Sequence, residues 1–555
     1  MSLATAPRVH GPDRWTGLRP DLRARLTPPM PPDRFLGWLL PLLVTGFAAY
    51  LRFHRLAIPK ALVFDEVYYA HDADSLLHHG VELGPTFNHG LNANGQSVND
   101  FIVHPPVGKW MIAVGEWLFP GHPKTLGGTI YPSDTFGWRF SAALVGTLAV
   151  LIIARTVRRM TRSTLLGTAA GLLLALDGLE FVQSRIATLD IFLMFWVLAA
   201  FACLVADRDW GRRRLADRLE LIGHPVDYGP RIGFRPWRIG AAVCLGLATG
   251  TKWNGALFAV AFAVLVLLWD VGARRTGGSH KPVRAALRHD ALPVVLLFFV
   301  LVAALYVAAW GGWFATSTGY DRHWASDPGN HSHWHLLFLP LPWIGDAMPK
   351  AVRSWMHYQH EIWNFHQSLH PTHADPKYGL HPYQSHPQGW LVLERPVSYY
   401  FASPQSGQSG CKTAGGCSQE ILALGTPAIW WASIGALIAS VWFWIAKRDW
   451  RAGAALLGTG VAILGWIPSE FHHRTMFLFY ALPALPFMVI ALTLCIGYAL
   501  AGPDASPTRQ LVGASGSGAY LLLVIMNFFY LYPVLAAGVL SYSHWHDRIW
   551  FPSWF

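Results

Sequence analysis

The chain has 555 residues, of which 53% are hydrophobic and only 14% are charged. Soluble domains carry about 25% charged residues, so this composition excludes an ordinary soluble protein and indicates one that crosses a membrane several times. The net charge of +11 does not favour nucleic-acid binding, because the basic residues form short clusters between apolar runs. Such clusters are typical of the cytoplasmic segments that orient membrane proteins.

Residues 1–34 are basic and rich in proline, and we expect a cytosolic tail here and not a cleaved signal peptide. The region 35–540 contains eleven apolar runs that are long enough, or nearly long enough, to span a bilayer as helices. The predicted fold class is therefore an all-α polytopic membrane protein with about 11 transmembrane helices. The runs are 35–53, 137–157, 164–181, 186–206, 237–251, 254–270, 291–310, 427–446, 452–467, 474–498 and 519–540.

The basic clusters predict the orientation of these spans. With the N-terminal tail inside, every strong cluster between spans falls on the cytoplasmic side, as the positive-inside rule requires. A missed span would reverse every later cluster, so the agreement also supports the count. The clusters are Arg158/Arg159/Arg162, Arg208 with Arg212–Arg214 and Arg218, Arg274/Arg275 with Lys281, Arg284 and Arg288, and Lys447/Arg448/Arg451.

Two long segments are then predicted on the external side, at 54–136 and 311–426. Loops of this length are commonly functional when they are ordered. Within the first, the apolar piece Val107–Phe119 is too short to span and predicts an interfacial helix. The aromatic segment 541–555 is predicted to lie at the external interface.

Five cysteines are too few to predict a disulfide framework. Cys203, Cys244 and Cys495 lie in apolar runs, where they are interpreted as small core residues. Cys411 and Cys417 lie in a glycine-rich part of the second external segment. They could form a local disulfide if that segment faces an oxidising compartment.

An adjacent acidic pair, Asp65 and Glu66, follows the first span. Two carboxylates in a loop are solvated surface charge about as often as they are functional groups. Here the pair lies among apolar and aromatic residues, and His104 and Lys109 follow in the same external segment. This context favours a functional pair at the mouth of a membrane protein.

Four basic residues begin or end predicted spans on the same side as the acidic pair: Arg139, Arg185, Lys252 and Arg474. Each one alone is more often a side chain that extends from a helix end to the interface. Four at one membrane face are harder to explain in that way. Asp190 lies about one turn inside its span, so we expect it to pair with Arg185 or another of these cations.

Several motifs, in this order and topology, resemble those of the protein O-mannosyltransferases, which move mannose from a polyprenyl (dolichyl-type) phosphate to Ser or Thr of a protein. The resemblance covers about residues 35–500 and is to the bacterial, actinobacterial-like members, because no inserted β-trefoil module can be recognised. The motifs are Asp65-Glu66 with His104-Pro105-Pro106, Arg139 in the second span, Ser184-Arg185 with Leu189-Asp190, Lys252-Trp253-Asn254-Gly255, Trp390 with Arg395-Pro396 and Tyr399, and Arg474 before Phe477-Leu478-Phe479-Tyr480-Ala481-Leu482-Pro483.

This resemblance implies the GT-C glycosyltransferase architecture, with residues 35–540 as the catalytic domain, and an inverting transfer of mannose. An acceptor hydroxyl must lose its proton as it attacks, and the expected general base is Asp65. Glu66 is expected to hold the acceptor peptide or to tune its neighbour. The leaving lipid phosphate needs fixed cations, and Arg139, Arg185, Lys252 and Arg474 are the candidates. Asp190, His104, Lys109 and Arg395 are expected to support the site.

A catalytic metal is the main competing interpretation of this site, because the second external segment holds many histidines, such as His331, His333, His335, His370 and His373. Their spacings match no compact zinc motif, and the resemblance is to metal-independent enzymes. We therefore expect no metal and no cofactor. The expected partners are polyprenyl-phosphate mannose, an exported polypeptide with Ser or Thr, membrane lipid and, in an actinobacterial plasma membrane, the secretion translocon.

Two other functions remain open. Another GT-C enzyme with the same donor chemistry, such as a lipid A aminoarabinose transferase, would use a lipid or glycan acceptor, and the residues alone do not reveal the sugar. A transporter or channel would show ionisable residues near the bilayer midplane and repeated broken helices. The polar groups of this chain instead gather at one face, which favours an interfacial enzyme.

Overall fold

The computed structural model describes residues 20–555 except 85–99, 122–123, 127–128, 132–133, 223–226, 331–334, 337–338, 341–346, 370–380 and 503. Helices dominate it, which confirms the predicted helical membrane fold. Within the described residues, nine helical segments are long and apolar enough to cross a membrane. They are Leu36–Phe53, Thr135–Thr161, Leu189–Ile222, Asn254–Thr276, Pro282–Ala309, Pro427–Ala446, Trp450–Phe471, Leu478–Ala499 and Pro507–Leu535.

The first half of the chain builds the helices that carry the acidic pair and most of the predicted cations. In chain order its elements are α1 (Pro20–Leu26), α2 (Leu36–Phe53), α3 (Glu66–His79), α4 (Val107–Leu118), β1 (Lys124–Leu126), β2 (Thr129–Tyr131), α5 (Thr135–Thr161), α6 (Thr164–Ala175), α7 (Gly178–Gln183), α8 (Leu189–Ile222), α9 (Pro236–Thr249) and α10 (Asn254–Thr276).

The second half adds the long external segment and the remaining helices. Its elements are α11 (Pro282–Val295), the π-helical Leu296–Leu301, α12 (Val302–Ala309), α13 (Gly311–Ala315), a 3-10 turn at Trp324–Ser326, β3 (His335–Leu336), β4 (Leu339–Pro340), α14 (Lys350–Ser368), α15 (Pro387–Trp390), β5 (Val397–Ala402), β6 (Cys417–Ala423), α16 (Pro427–Ala446), α17 (Trp450–Leu464), α18 (Ile467–Phe471), the 3-10 helix Leu478–Ala484, α19 (Leu485–Ala499), α20 (Pro507–Leu535), β7 (Val539–Ser541), α21 (Tyr542–His546) and a 3-10 turn at Pro552–Trp554.

Two of the eleven predicted spans are shorter than expected. The run 164–181 is divided at Asp177, whose carboxylate accepts hydrogen bonds from the Glu180 backbone N–H at 3.0 Å and from Trp430 Nε1 at 2.7 Å. This N-cap starts a new helix, α7, after α6 has ended. The run 237–251 forms α9, whose 14 residues reach only about 21 Å of a hydrocarbon core of about 30 Å. The count of eleven is therefore not confirmed.

The core of the bundle lies around α8 and α19. Most of the apolar window of Leu189–Ile222 and of Leu478–Ala499 is buried, whereas Pro282–Ala309 is mostly exposed on the outside of the bundle. Phe201 of α8 and Phe487 of α19 pack edge to face with ring centroids 5.2 Å apart. These enclosed helices hold the polar groups at their ends in fixed positions.

A small antiparallel sheet of strand order β5-β6-β7 lies beside the helices. Every residue of β6 is buried, and the loop between β5 and β6 is closed by a disulfide between Cys411 and Cys417. The sequence left this disulfide undecided, and no pattern in it predicted the sheet. The sheet holds Tyr399 of β5 against the segment that carries the acidic pair, where its ring stacks on Phe64 at 4.5 Å.

Candidate active site

The acidic pair lies where α3 begins, with Asp65 as the N-cap and Glu66 in the first turn. Phe64, just before it, has a φ of +51°. A bulky residue is rarely found in this left-handed region, and such strained residues are concentrated at functional sites. The stacking of Phe64 on Tyr399 holds the strained turn in place, and the two neighbouring carboxylates enter different surroundings.

The Glu66 carboxylate is fully buried and is enclosed by donors. Its oxygens accept hydrogen bonds from the Val63 backbone N–H at 2.9 Å and the Ala187 backbone N–H at 3.0 Å. They also accept two bonds from Arg139, from Nε and Nη2, both at 2.7 Å. Four donors use up the acceptor capacity of a carboxylate, so Glu66 connects three chain segments and does not face a cavity.

The Asp65 carboxylate is different, because it makes no hydrogen bond or ion pair with any residue that the structure describes. It is largely buried but not completely enclosed. Burial raises the pKa of Asp65 to about 7, the nearby charge of Lys252 opposes this rise, and the charge of Asp190 adds to it. This carboxylate is therefore available to a ligand, and it changes its protonation state close to neutral pH.

A cavity of about 220 Å³ lies beside these groups. Its polar lining includes Lys252, Arg474, His104, His366 and Tyr480. Lys252 connects the cavity with the acidic pair: its side chain lines the cavity, and its positive charge lowers the pKa of Asp65. Asp65 does not itself line the cavity, but its carboxylate lies within electrostatic reach of the ammonium that does.

Lys252 is buried and bonds to Asp190, with its ammonium nitrogen 3.0 Å from both carboxylate oxygens. This pair confirms the expectation that Asp190 binds one of the cations, and the partner is Lys252 and not Arg185. The Lys252 ammonium also lies 4.9 Å from the centre of the Tyr480 ring, within the range of a cation–π contact. Both contacts hold the ammonium at the cavity wall.

Arg474 is positioned by a histidine that the sequence analysis did not name. Arg474 Nη2 lies 3.1 Å from His366 Nδ1, and His366 Nε2 lies 3.0 Å from the Val103 carbonyl oxygen. The carbonyl requires a proton on Nε2, so Nδ1 accepts the bond from arginine and the ring is neutral. Burial, followed by the charge of Arg474, lowers the pKa of His366 to about 4. Burial also holds the pKa of His104, 5.3 Å away between ring centroids, well below its usual value.

Arg139 does not reach this cavity. Its guanidinium is fully buried and donates to Glu66 as well as to the carbonyl oxygens of Leu56 at 3.2 Å, Pro59 at 3.0 Å and Ala61 at 2.9 Å. Each of its three nitrogens thus has an acceptor. Arg139 therefore links the loop before α3 to the start of α5. Because its N–H groups are already bonded, none is free to bind a phosphate.

Arg185 is similarly enclosed, at the C-terminal end of α2. It donates to the carbonyl oxygens of Leu51 at 3.1 Å, Arg52 at 2.8 Å, His54 at 2.7 Å and Arg55 at 3.1 Å. The Leu51 and Arg52 carbonyls belong to the last turn of α2, where a helix end leaves carbonyls without an intrahelical partner, and a cation is favourable at that end of the helix dipole. The structure therefore brings only two of the four predicted cations, Lys252 and Arg474, to the cavity.

The remaining predicted residues lie at the borders of the site. Lys109 of α4 is buried between two carboxylates, Asp72 at 3.1 Å and Glu82 at 3.0 Å, and so fixes α4 to α3. Arg395 donates to the carbonyl oxygens of Pro382 at 2.7 Å and Ser553 at 2.8 Å. It connects the second external segment to the end of the chain.

Comparison with known proteins is informative over nearly the whole chain. Residues 96–309 match the family model described as dolichyl-phosphate-mannose-protein mannosyltransferase, and residues 351–554 match the C-terminal four-TMM region of protein-O-mannosyltransferase. A polyprenol-phosphate-mannose–protein mannosyltransferase of Mycolicibacterium smegmatis is 39% identical over 94% of this chain and 94% of its own length. The chain belongs to the protein mannosyltransferase family.

Other comparisons agree with this family. The enzyme of the same name in Corynebacterium glutamicum is 31% identical over 100% of both chains. The structure of the Saccharomyces cerevisiae protein O-mannosyltransferase Pmt1-Pmt2 complex bound to the sugar donor superposes with a TM-score of 0.68, at 16% identity, and covers 97% of this chain and 94% of that one. The mannosyltransferase thus has the GT-C fold that its motifs predicted.

No group of three or more metal-ligating side chains occurs in the described part of the mannosyltransferase. Of the histidines in the second external segment, His331, His333, His370 and His373 lie outside the described residues, and His335 lies in β3. His381, which is described, packs against Phe477 with ring centroids 4.9 Å apart. No step below depends on a metal.

Two features of the mannosyltransferase were missed by sequence reasoning. His366 is one of 26 histidines in the chain, and only the fold brings it to Arg474. Arg52 and Glu180 form a fully buried ion pair between α2 and α7. An arginine and a glutamate inside apolar runs are costly unless they are paired, and this signal was present in the sequence.

Proposed function

We propose that the protein transfers mannose from a polyprenyl-phosphate mannose to Ser or Thr hydroxyls of polypeptides, with inversion and with Asp65 as the general base. Relatives that align over 94% of the chain bear the name of this activity. The mechanism rests on the unengaged Asp65 carboxylate, on which the charge of Lys252 acts, together with the cavity that Lys252 and Arg474 line.

The Asp65 carboxylate suits the proton transfer that the acceptor requires. A Ser or Thr hydroxyl is protonated at neutral pH, and its oxygen becomes a good nucleophile only as the proton leaves. A base with a pKa close to the working pH combines a useful deprotonated fraction with a strong driving force for that transfer, and burial gives Asp65 a pKa of about 7. Attack from the side of Asp65, opposite the phosphate, inverts the anomeric carbon.

Lys252 and Arg474 suit the leaving lipid phosphate, which gains charge as the glycosidic bond breaks. Fixed cations in a partly buried site stabilise that charge with little reorganisation. Lys252 retains a donor after its bonds to Asp190, since an ammonium has three. Arg474 Nε is buried and has no hydrogen-bond partner among the described residues, so a phosphate oxygen would satisfy it.

A crevice beside the cavity marks a path for the lipid chain, although its volume of about 10 Å³ means that it would have to widen to admit one. It shares Lys252, Asn254, Trp466 and Tyr480 with the cavity. Its other lining residues are Asp190 and apolar residues such as Leu193 and Phe258. These residues belong to the membrane-spanning helices. A polyprenyl chain bound here would remain in apolar surroundings while its phosphate reaches the two cations.

Glu66, Arg139 and Arg185 act in this proposal as positioning residues. Glu66 and Arg139 form a buried pair that holds the turn carrying Asp65, and Arg185 caps α2, which precedes that turn.

The site is proposed to lie on the external face of a bacterial plasma membrane, where exported polypeptides emerge. The basic clusters support this orientation, because they lie at the ends of the spans opposite the site, where the positive-inside rule places the cytoplasm. A secretion translocon remains a predicted partner.

The transfer is tested with the purified full-length protein, radiolabelled polyprenyl-phosphate mannose and a Ser/Thr-rich peptide. We expect alkali-labile label on the peptide and an anomeric configuration opposite to that of the donor, as read by NMR. The Asp327→Asn variant, which changes an exposed carboxylate of the second external segment, is the matched control for Asp65→Asn. Label that appears only in a lipid or glycan fraction would contradict the proposed acceptor.

A further inference from the structure

A second and larger cavity, of about 510 Å³, lies between α1, the linker after it, the C-terminal end of α5 and the second half of α8. Among the described residues that line it, seven are arginines, and Asp209 is the one acidic residue. We call it the arginine cavity. No step of the proposed transfer uses it.

The arginine cavity lies at the opposite end of the bundle from the candidate active site. Arg139 and Arg155 lie on the same helix, α5, sixteen residues apart, which corresponds to about 24 Å along the axis. Asp190 and Asp209 lie on α8, nineteen residues apart, or about 28 Å. Two independent helices thus place the cavities at the two membrane surfaces.

The positive charge of the arginine cavity is only partly balanced. Asp209 bonds to Arg162 at 2.9 Å, and Arg158 bonds to Asp33 at 2.8 Å. Arg23 pairs with Asp217 at 3.0 Å and with Glu220 at 2.6 Å. Arg34 and Arg213 line the cavity, are exposed, and form no ion pair with any residue in the described part of the chain. Excess cations around a concave space of this size favour an anionic ligand.

The arginines of α5 that line the cavity follow a helical stripe. Arg155, Arg158, Arg159 and Arg162 are spaced three, four and seven residues apart, so they point from one face. Like charges at this spacing repel each other, and a bound anion would relieve that repulsion. The positive-inside rule explains why cations lie at this surface, but it does not require that they line a common cavity.

An apolar surface begins at the edge of the arginine cavity. Phe35, directly before α2, is 74% exposed, and Trp38, which lines the cavity, is 51% exposed. Leu42, one turn further along α2, is 49% exposed. Arg155 lies over the Trp38 ring at 3.7 Å, so the cationic and apolar surfaces are continuous. This combination suits an amphiphile better than a free anion.

We propose that the arginine cavity binds the headgroup of an anionic phospholipid, with the acyl chains along the exposed face of α2. Guanidinium groups bind phosphate oxygens in a planar, bidentate geometry, and basic pockets between membrane helices are suited to anionic headgroups. The bound lipid would hold α1 and the proline-rich linker against the C-terminal end of α5 and the second half of α8. The inference is independent of the proposed transfer.

Native mass spectrometry of the full-length protein in detergent, with added phosphatidylglycerol, tests this site. The test variant is Arg34→Gln/Arg213→Gln, because both side chains are exposed and their removal breaks no described ion pair. We expect Kd for phosphatidylglycerol to rise roughly five-fold per arginine removed, with the melting temperature unchanged. The matched control is Arg284→Gln, an exposed arginine of the same predicted membrane surface that does not line the cavity.

Three outcomes would overturn the proposal. One is equal affinity for phosphatidylglycerol in the double variant and in Arg284→Gln. The second is equal binding of phosphatidylcholine of the same chain length, which would show that charge is not recognised. The third is displacement of the lipid by equimolar inorganic phosphate, which would identify a site for a soluble anion.

Discussion

Arg139 and Arg185 lie in a region where buried guanidinium groups are surrounded by acceptors, whereas Lys252 and Arg474 lie where cations line a cavity. Arg139 donates to three carbonyls and one carboxylate, but Arg474 has a buried nitrogen without a described partner. All four begin or end apolar runs at one face. Position along a span therefore does not distinguish the two kinds of cation, and we propose that the number of satisfied hydrogen-bond donors does.

The same contrast separates the two neighbouring carboxylates. Glu66 accepts four hydrogen bonds inside the protein, and Asp65 accepts none from the described residues. One member of the pair has a structural role so that the other is held unengaged. The following predictions test this division, from the largest expected effect to the smallest.

Asp65→Asn should abolish most of the transfer and leave the fold intact. Loss of a general base lowers the rate by about 10²–10⁴-fold, and no described bond is lost because the side chain has no described partner. Transfer at saturating donor and acceptor and the melting temperature measure the two effects. Substantial residual transfer in Asp65→Asn, compared with Asp327→Asn, would show that another group takes the proton.

Arg139→Gln should lower stability strongly, because it leaves the buried Glu66 carboxylate without its charged partner. Breaking a buried ion pair in this way costs about 3–5 kcal/mol. The double variant Glu66→Gln/Arg139→Gln should lose less than the sum of the two single variants. Thermal unfolding in detergent gives all three values. A normal melting temperature together with weakened donor binding would instead make Arg139 a phosphate ligand.

Arg474→Gln should weaken donor binding while the melting temperature changes little. Hydrogen bonds to charged groups contribute about 1.5–3 kcal/mol, so the donor Kd should rise by about 10–100-fold. Arg395→Gln is the matched control, because its described bonds are to carbonyls at the border of the site. Equal donor affinity in the two variants would remove Arg474 from the phosphate site.

His366→Phe should have a smaller effect of the same kind. It removes the acceptor that orients Arg474 and leaves the charge in place, so we expect the donor Kd to rise about three- to ten-fold, in line with one hydrogen bond of about 1 kcal/mol. His366→Asn, which can still accept from arginine, should recover part of the loss. An unchanged Kd in His366→Phe would show that Arg474 is oriented by other contacts.

The fold could be predicted from the sequence because apolar length decides where a helix can span. That reasoning failed at Asp177, where a single capping carboxylate divides an apolar run, and at α9, which is too short. The small sheet was not foreseen, since its strands are short and separated by more than a hundred residues between β6 and β7.

The candidate site could be predicted in part. Asp65, Lys252 and Arg474 stood out as ionisable residues at the edges of apolar runs. The surroundings of Arg139 could not be predicted, because its acceptors at Leu56, Pro59 and Ala61 are main-chain carbonyls, which any residue type supplies.

The pH dependence of transfer, at saturating donor and acceptor, tests the role of Asp65 most directly. A protonated carboxyl cannot take a proton, so the rate should rise about tenfold per pH unit below about pH 7, the pKa to which burial raises Asp65, and then level off. His366, with its pKa lowered to about 4, stays neutral in this range. Burial also raises the pKa of Asp72 to about 7, so Asp72→Asn is the control and should keep the same profile. A rate that does not change between pH 5.5 and 8.5, or a profile lost in Asp72→Asn, would contradict the assignment of Asp65 as the base.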